Sequence, residues 1–161
     1  FIMLASFFLD AYAFSTEAVI GYTVGRRIKK SFLQTVTNSF QLSIISGLII
    51  SLIYLFTFKY IINELTDLDY LRFLTFNYII WIIIIPPVAA ICYQFDGIFI
   101  GASQTLEMRN GMIISVFFFI SSSHFLITNF GNHGLWLSLL FFMIMRSITL
   151  NYYFNRILKK F

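Results

Sequence analysis

The chain has 161 residues, of which 59% are hydrophobic, 20% aromatic and only 11% charged. A soluble domain usually carries about a quarter charged residues, so this composition excludes a water-soluble fold and indicates that lipid is the solvent. The formal net charge is +4, and because no basic stripe coexists with a soluble fold, nucleic acid is not an expected partner.

Five segments are long and apolar enough to cross a bilayer as helices, since about 20 apolar residues span its hydrocarbon core. They are residues 1–25, 38–62, 73–102, 112–130 and 134–154. Short polar connectors separate them, and none has the composition of a flexible linker. The predicted fold class is therefore an all-α integral membrane protein, with one polytopic helical bundle over residues 1–161.

Basic residues predict the orientation of the bundle, because Lys and Arg concentrate on cytoplasmic connectors. They follow the first and third spans and end the chain: Arg26, Arg27, Lys29, Lys30, Arg109, Arg156, Lys159 and Lys160. The predicted location is the cytoplasmic membrane, with the C-terminus in the cytoplasm. Five spans then put Phe1 outside with no leader to carry it there, so we expect a C-terminal, N-terminally truncated piece of a larger protein.

Two acidic residues lie inside the first predicted span. Asp10 and Glu17 are seven residues apart, which places them on nearly the same helix face, with Ala13 and Phe14 beside them. An ionised carboxylate is costly against acyl chains, so this face is expected to point into the bundle or a wet cavity. Such carboxylates are functional candidates by default, and a purely structural pair is the open alternative.

Three of the intramembrane charges are predicted to share one level of the bundle. Counted from the cytoplasmic ends at about 1.5 Å per residue, Glu17 and Arg146 lie roughly 13 Å deep and Asp96 roughly 10 Å deep. Asp10 lies higher, at roughly 24 Å. We expect Arg146 to neutralise one carboxylate while another binds a proton or a cation. The alternative is that Arg146 snorkels to the cytoplasmic interface.

The third predicted span contains two adjacent prolines, Pro86 and Pro87. Each lacks a backbone N–H and clashes with the carbonyl four residues earlier, so together they free the carbonyls of Ile82 and Ile83 and bend the helix. At membrane depth, freed carbonyls are tolerated only where protein or water satisfies them. Such a break beside buried carboxylates is typical of a transporter's moving parts, and a passive packing kink is the alternative.

Signals for an enzyme are weak. A membrane hydrolase needs an activated nucleophile with a positioned base, and the two histidines are His124, after three serines, and His133, in an outer connector. The sequence has no metal-ligand cluster. We therefore predict no catalytic residue, no metal site and no cofactor. An intramembrane enzyme that depends on His124 is the least favoured alternative.

Three stretches of the chain are similar to one known family. They are YQFDGIFIGASQTLEMRNGM (93–112), FLDAYAFSTEAVIG (8–21) and GLWLSLLFFMIMRS (134–147). They resemble the multidrug and toxic compound extrusion (MATE) family, in particular its DinF-like branch. The resemblance implies twelve helices in two six-helix halves around a central cavity, of which this chain supplies helices eight to twelve. It also implies export of organic, often cationic, drugs in exchange for H⁺ or Na⁺.

The resemblance further implies a cation site in this half. The NorM-like branch of the family uses an acid and a nearby tyrosine on the tenth helix, and Asp96 and Tyr93 match them by type. That branch spaces the two residues four apart, whereas here they are three apart. A seventh-helix acid that completes the site, and a first-half acid linked to proton coupling in the DinF-like branch, are expected upstream of this chain.

The predicted function is antiport at a cation-responsive centre formed by Glu17, Asp96 and Asp10. Its expected partners are an organic cation, the lipid bilayer and the N-terminal half of the same protein. Aromatic side chains that could contact the cation are Tyr12, Phe14, Tyr22, Trp81 and Tyr93.

Two alternatives stay open. One is a lipid-linked precursor or polysaccharide flippase of the same superfamily, whose cavity needs more cationic side chains. The other is a non-transporting subunit of a membrane complex.

Overall fold

Six helices make up most of the chain in the computed structural model, which describes residues 1–159 and 161. They are α1 (Ile2–Gly25), α2 (Lys29–Leu65), α3 (Asp69–Asn77), α4 (Ile79–Gly101), α5 (Thr105–Phe130) and α6 (Asn132–Leu158). All but α3 are long and apolar enough to cross a membrane. No strand occurs in the described part of the chain, so the predicted all-α membrane class is confirmed. Lys160, predicted to lie at the cytoplasmic end, falls outside the described residues.

The helix boundaries differ most from the predicted spans at three places. α2 begins nine residues before residue 38, α5 begins seven before residue 112, and the predicted span 73–102 divides at Tyr78 into α3 and α4. Hydropathy detects only the part of a helix that lies in lipid, whereas a helix continues into the headgroup region where water solvates its polar side chains. At 37 residues, α2 is about 55 Å long, nearly twice the hydrocarbon thickness of about 30 Å.

α4 is the central helix of the bundle. It packs against α1, α2 and α6 and touches α3 and α5, while α5 and α6 pack mainly against each other. Glycines on α4 allow its backbone to approach that of α1. A Cβ added at Gly97 would overlap the carbonyl of Ala13, and one added at Gly101 would lie 2.5 Å from the carbonyl oxygen of Glu17. Close backbone contact of this kind drives helix association in lipid, where the hydrophobic effect between helices is absent.

The two prolines are accommodated by α2. α4 runs without interruption from Ile79 to Gly101, so the prolines do not end the helix. Ser51 Oγ donates a hydrogen bond of 2.7 Å to the carbonyl oxygen of Ile83. Pro87, four residues later, has no N–H that could donate to that oxygen. Gly47, one turn earlier on α2, makes room for this contact, because a Cβ there would lie 3.0 Å from the carbonyl oxygen of Pro86. The carbonyl freed by Pro87 is thus satisfied by protein, as its membrane depth requires.

Replacement of Ser51 by alanine is expected to destabilise the protein by about 1–2 kcal/mol, because the buried carbonyl of Ile83 loses its donor. The effect should shrink in a Pro87→Ala background, where the restored N–H of residue 87 can bond that carbonyl. Thermal unfolding of the four proteins of this cycle in detergent measures the coupling. Thr57→Ala, which removes an exposed hydroxyl bonded only within α2, is the matched control. Equal losses in both backgrounds would show that Ser51 does not compensate for the proline.

Candidate functional site

The three predicted acids line one pocket between transmembrane helices. Asp10 and Glu17 come from α1, where their seven-residue spacing puts both on one face, and Asp96 comes from α4. The cavity has a volume of about 190 Å³. Its other lining residues are Ala13, Phe14, Tyr93, Gly97, Ile100 and Met108. The pocket extends along α1 over about two turns. Asp10 therefore lines the same cavity as Glu17, although the two residues lie at different depths.

Asp96 is paired with Arg146 across the α4–α6 interface. Arg146 Nη2 and Nε donate to the same carboxylate oxygen, Oδ1 of Asp96, at 2.8 and 3.1 Å. The side chain of Asp96 is 19% exposed and that of Arg146 is 10% exposed, so the ion pair is mostly buried. Arg146 Nη1 lies 3.0 Å from the sulfur of Met112 on α5. Arg146 therefore faces the interior, and the alternative that it snorkels to the interface is wrong.

The acids of α1 differ from Asp96 in their partners. Neither Asp10 nor Glu17 has an ion pair or hydrogen bond with another side chain among residues 1–159 and 161. Within that same part of the chain, no group of three His, Cys, Asp or Glu side chains has the spacing of a metal site. The pocket is thus lined by three carboxylates, one of which is paired with a guanidinium that does not itself line the cavity.

Tyr93 connects the pocket to α1. Its hydroxyl lies 3.0 Å from Ser6 Oγ. Because the Ser6 hydroxyl already donates to the carbonyl of Ile2, the Tyr93 O–H is the donor in this contact. The tyrosine oxygen can still accept a hydrogen bond. Tyr93 and Phe14 are the two predicted aromatic residues that line the cavity with the acids.

The other aromatic residues predicted to contact the same substrate lie elsewhere, which corrects that part of the prediction. Tyr12 faces a separate groove between α1 and α2, and Tyr22 lies beneath the guanidinium of Arg26 at the helix end. Trp81 is 15 residues before Asp96 on α4, about 22 Å away along the helix axis. The set was chosen by residue type, and type does not report the level or face of a side chain.

A second ion pair was not predicted from the sequence. Arg156 Nη1 of α6 lies 2.9 Å from Glu107 Oε1 of α5, and its guanidinium carbon lies 5.0 Å from the ring centre of Tyr153. Glu107 is nearly buried, with 10% of its side chain exposed. The sequence pattern predicts a connector over 103–111, and a connector residue is not a candidate for a buried ion pair. The helical spacing of Thr105–Gly111 with the following span is the signal that could have revealed it.

An all-helical bundle with five candidate spans and a mostly buried ion pair between two of them is a multi-pass membrane protein. The chain is 36% identical over 142 residues to DNA damage-inducible protein F of Escherichia coli (strain K12). This similarity confirms the resemblance to the DinF-like branch of the MATE family. The alignment covers 88% of the chain and 31% of that protein, so the chain spans about a third of the length of its curated relative. No family model matches the chain, and no solved structure is significantly similar to it.

Proposed function

We propose that the chain forms part of a secondary active antiporter that exports organic, often cationic, compounds in exchange for H⁺ or Na⁺. One observation carries the proposal: three carboxylates from two transmembrane helices line a single cavity, while a single guanidinium is paired with one of them. Intramembrane acids of this kind mark ion and substrate pathways. The similarity to a MATE-type protein supports transport over catalysis.

The proposed mechanism separates the roles of the acids. Alternating access to water or to ions changes the occupancy of a carboxyl that has no fixed partner. Asp10 and Glu17 are therefore the proposed coupling groups. Asp96 is the fixed member, because Arg146 holds its carboxylate. An organic cation and the coupling ion compete for the same negative charge, with the Phe14 and Tyr93 rings beside it.

The proposal includes an orientation. Basic residues at one end of the bundle are Arg26 and Arg27 after α1, Arg109 in the first turns of α5, and Arg156 and Lys159 at the end of α6. The α2–α3 corner carries Glu64, Asp67 and Asp69, with Arg72 paired to the two aspartates. By the positive-inside rule we propose that the basic end and the C-terminus are cytoplasmic, in the cytoplasmic membrane. We also propose that the working protein needs a further membrane half, since the chain covers 31% of its relative.

Removal of both α1 acids tests this function. In the full-length protein, Asp10→Asn combined with Glu17→Gln is expected to lower ion-driven ethidium efflux from proteoliposomes at least about tenfold, the change that ~1.4 kcal/mol of lost coupling produces. The protein should still fold, because neither acid has an ion-pair partner to leave behind. Separate pH and Na⁺ gradients identify the coupling ion.

Glu64→Gln is the control, since Glu64 is an exposed acid at the far end of α2, away from the pocket. It should transport like the wild type. Size-exclusion chromatography confirms that each variant is folded. Unchanged gradient-driven efflux in the folded double variant contradicts the proposal, and efflux absent from the wild type under both gradients favours the non-transporting subunit instead.

A further inference from the structure

The turn between α1 and α2 carries the largest group of adjacent basic side chains in the described part of the chain. Four of the five residues from 26 to 30 are basic and exposed: Arg26, Arg27, Lys29 and Lys30. The fifth residue, Ile28, is also exposed. None of the four basic side chains forms an ion pair with any of residues 1–159 and 161, so their charge is not compensated within that part of the chain.

The other arginines of the chain have polar partners. Arg72, Arg146 and Arg156 each pair with a carboxylate. Arg109 donates to the amide oxygen of its neighbour Asn110. The α1–α2 turn therefore differs from the other basic positions both in the number of its charges and in their lack of an acidic partner.

Hydrogen bonds to the end of α1 fix the backbone of this turn. The N–H groups of residues 26, 27 and 28 donate to the carbonyls of Tyr22, Val24 and Thr23 at 3.1, 3.1 and 3.0 Å. Arg27 has a left-handed backbone conformation, with φ 55°. The guanidinium carbon of Arg26 lies 4.9 Å from the centre of the Tyr22 ring. The four charges are thus held together on a compact turn.

The length of α1 gives the level of the turn in the membrane. α1 has 24 residues, so it is about 36 Å long, compared with about 30 Å for the hydrocarbon core. The turn that follows it therefore lies in the headgroup layer, where lipid phosphates are the nearest anions. Tyr22 and Ile28, which are 56% and 40% exposed, present apolar surface to the boundary between headgroups and acyl chains.

From these observations we infer that the α1–α2 turn binds the headgroup of an anionic phospholipid. The lipid supplies the negative charge that the turn lacks, and a guanidinium can donate two parallel hydrogen bonds to phosphate oxygens. Each basic residue near an anionic membrane surface strengthens binding about fivefold. A zwitterionic lipid gains less, because its own ammonium group offsets the phosphate. The inference rests on the membrane class of the chain and not on the proposed antiport, since headgroup binding needs no ion gradient.

Native mass spectrometry of the full-length protein in detergent, titrated with dioleoyl phosphatidylglycerol, tests the site. We expect the first phosphatidylglycerol to bind at least about fivefold more tightly than dioleoyl phosphatidylcholine. Lys29→Gln combined with Lys30→Gln should weaken phosphatidylglycerol binding at least about fivefold and leave phosphatidylcholine binding unchanged. Arg26 and Arg27 are kept in this variant so that the charge that orients the first helices is retained.

Two further variants separate charge at the turn from charge elsewhere. Lys29→Arg combined with Lys30→Arg keeps the charge and should bind phosphatidylglycerol like the wild type. Lys59→Gln neutralises an exposed lysine near the other end of α2 and should also bind normally.

Three results overturn the inference. The first is equal affinity of the wild type for the two lipids. The second is phosphatidylglycerol affinity that falls no further in the Lys29→Gln, Lys30→Gln variant than in Lys59→Gln. The third is displacement of the bound lipid by millimolar inorganic phosphate, which would assign the turn to a soluble anion. None of these results bears on gradient-driven efflux, so this inference and the proposed function fail separately.

Discussion

Arg146→Met is expected to destabilise the protein by about 3–5 kcal/mol, the largest single effect that we predict. The substitution leaves the carboxylate of Asp96 without both of its donors, at a position where only 19% of that side chain is exposed. Removing one partner of a buried ion pair costs this much free energy because the charge of the other partner is left uncompensated. The measurement is the unfolding transition of the purified full-length protein in detergent, followed by size exclusion after heating.

The double variant Asp96→Asn with Arg146→Met separates the pair from the packing around it. With both charges gone, no uncompensated ion remains, so the double variant is expected to recover most of the loss. Asp67→Asn, which breaks the ion pair of an exposed carboxylate with Arg72, is the comparison and should cost no more than about 1 kcal/mol. A double variant no more stable than Arg146→Met alone would show that arginine packing, rather than charge, holds α6 against α4.

Gly97→Leu is expected to reach or exceed the upper end of the usual cost of overpacking, which is about 1–3 kcal/mol. A Cβ at this position already overlaps the backbone carbonyl of Ala13, and backbone cannot move aside as a flexible side chain can. α1 and α4 must therefore separate, and because Ala13 and Gly97 both line the acidic cavity, the acids separate with them. Stability and ethidium efflux should both fall.

Gly25→Leu provides the control for this substitution. Gly25 ends α1, and no atom lies within 4 Å of a Cβ added there. The same change of residue type is thus made on an open surface, and both stability and efflux should stay near wild-type values. If Gly97→Leu behaves like Gly25→Leu, the close approach of α1 and α4 is not needed for folding or for the cavity.

Hydropathy and length were enough to predict the membrane-spanning helices, because lipid requires every backbone polar group to be satisfied within the segment. They could not predict α3, since nine residues are too few to cross the bilayer and its polar positions are typical of a connector. For the same reason they missed the first turns of α2 and α5. Hydropathy describes the solvent around a helix, and these residues are helical outside the lipid.

The site was partly predictable for geometric reasons. Helical periodicity brought Asp10 and Glu17 to one face, and counting residues from the interface put Arg146 level with Asp96, which the ion pair between them matches. The partner of the Ile83 carbonyl was not predictable, because Ser51 lies 32 residues away on another helix. The environment of Trp136 was not predictable either, because which of the two indole N–H groups has an acceptor depends on how α4 and α6 pack together.

The connection between α5 and α6 has a consequence for how the protein is made. One residue, Gly131, reverses the chain, and its backbone angles of φ 57° and ψ −134° are ones that a residue with a side chain rarely adopts. A residue with a side chain at position 131 would be strained in this conformation. α5 and α6 therefore form a hairpin that reverses at one glycine, and a substitution there is expected to hinder formation of this hairpin when the protein is made.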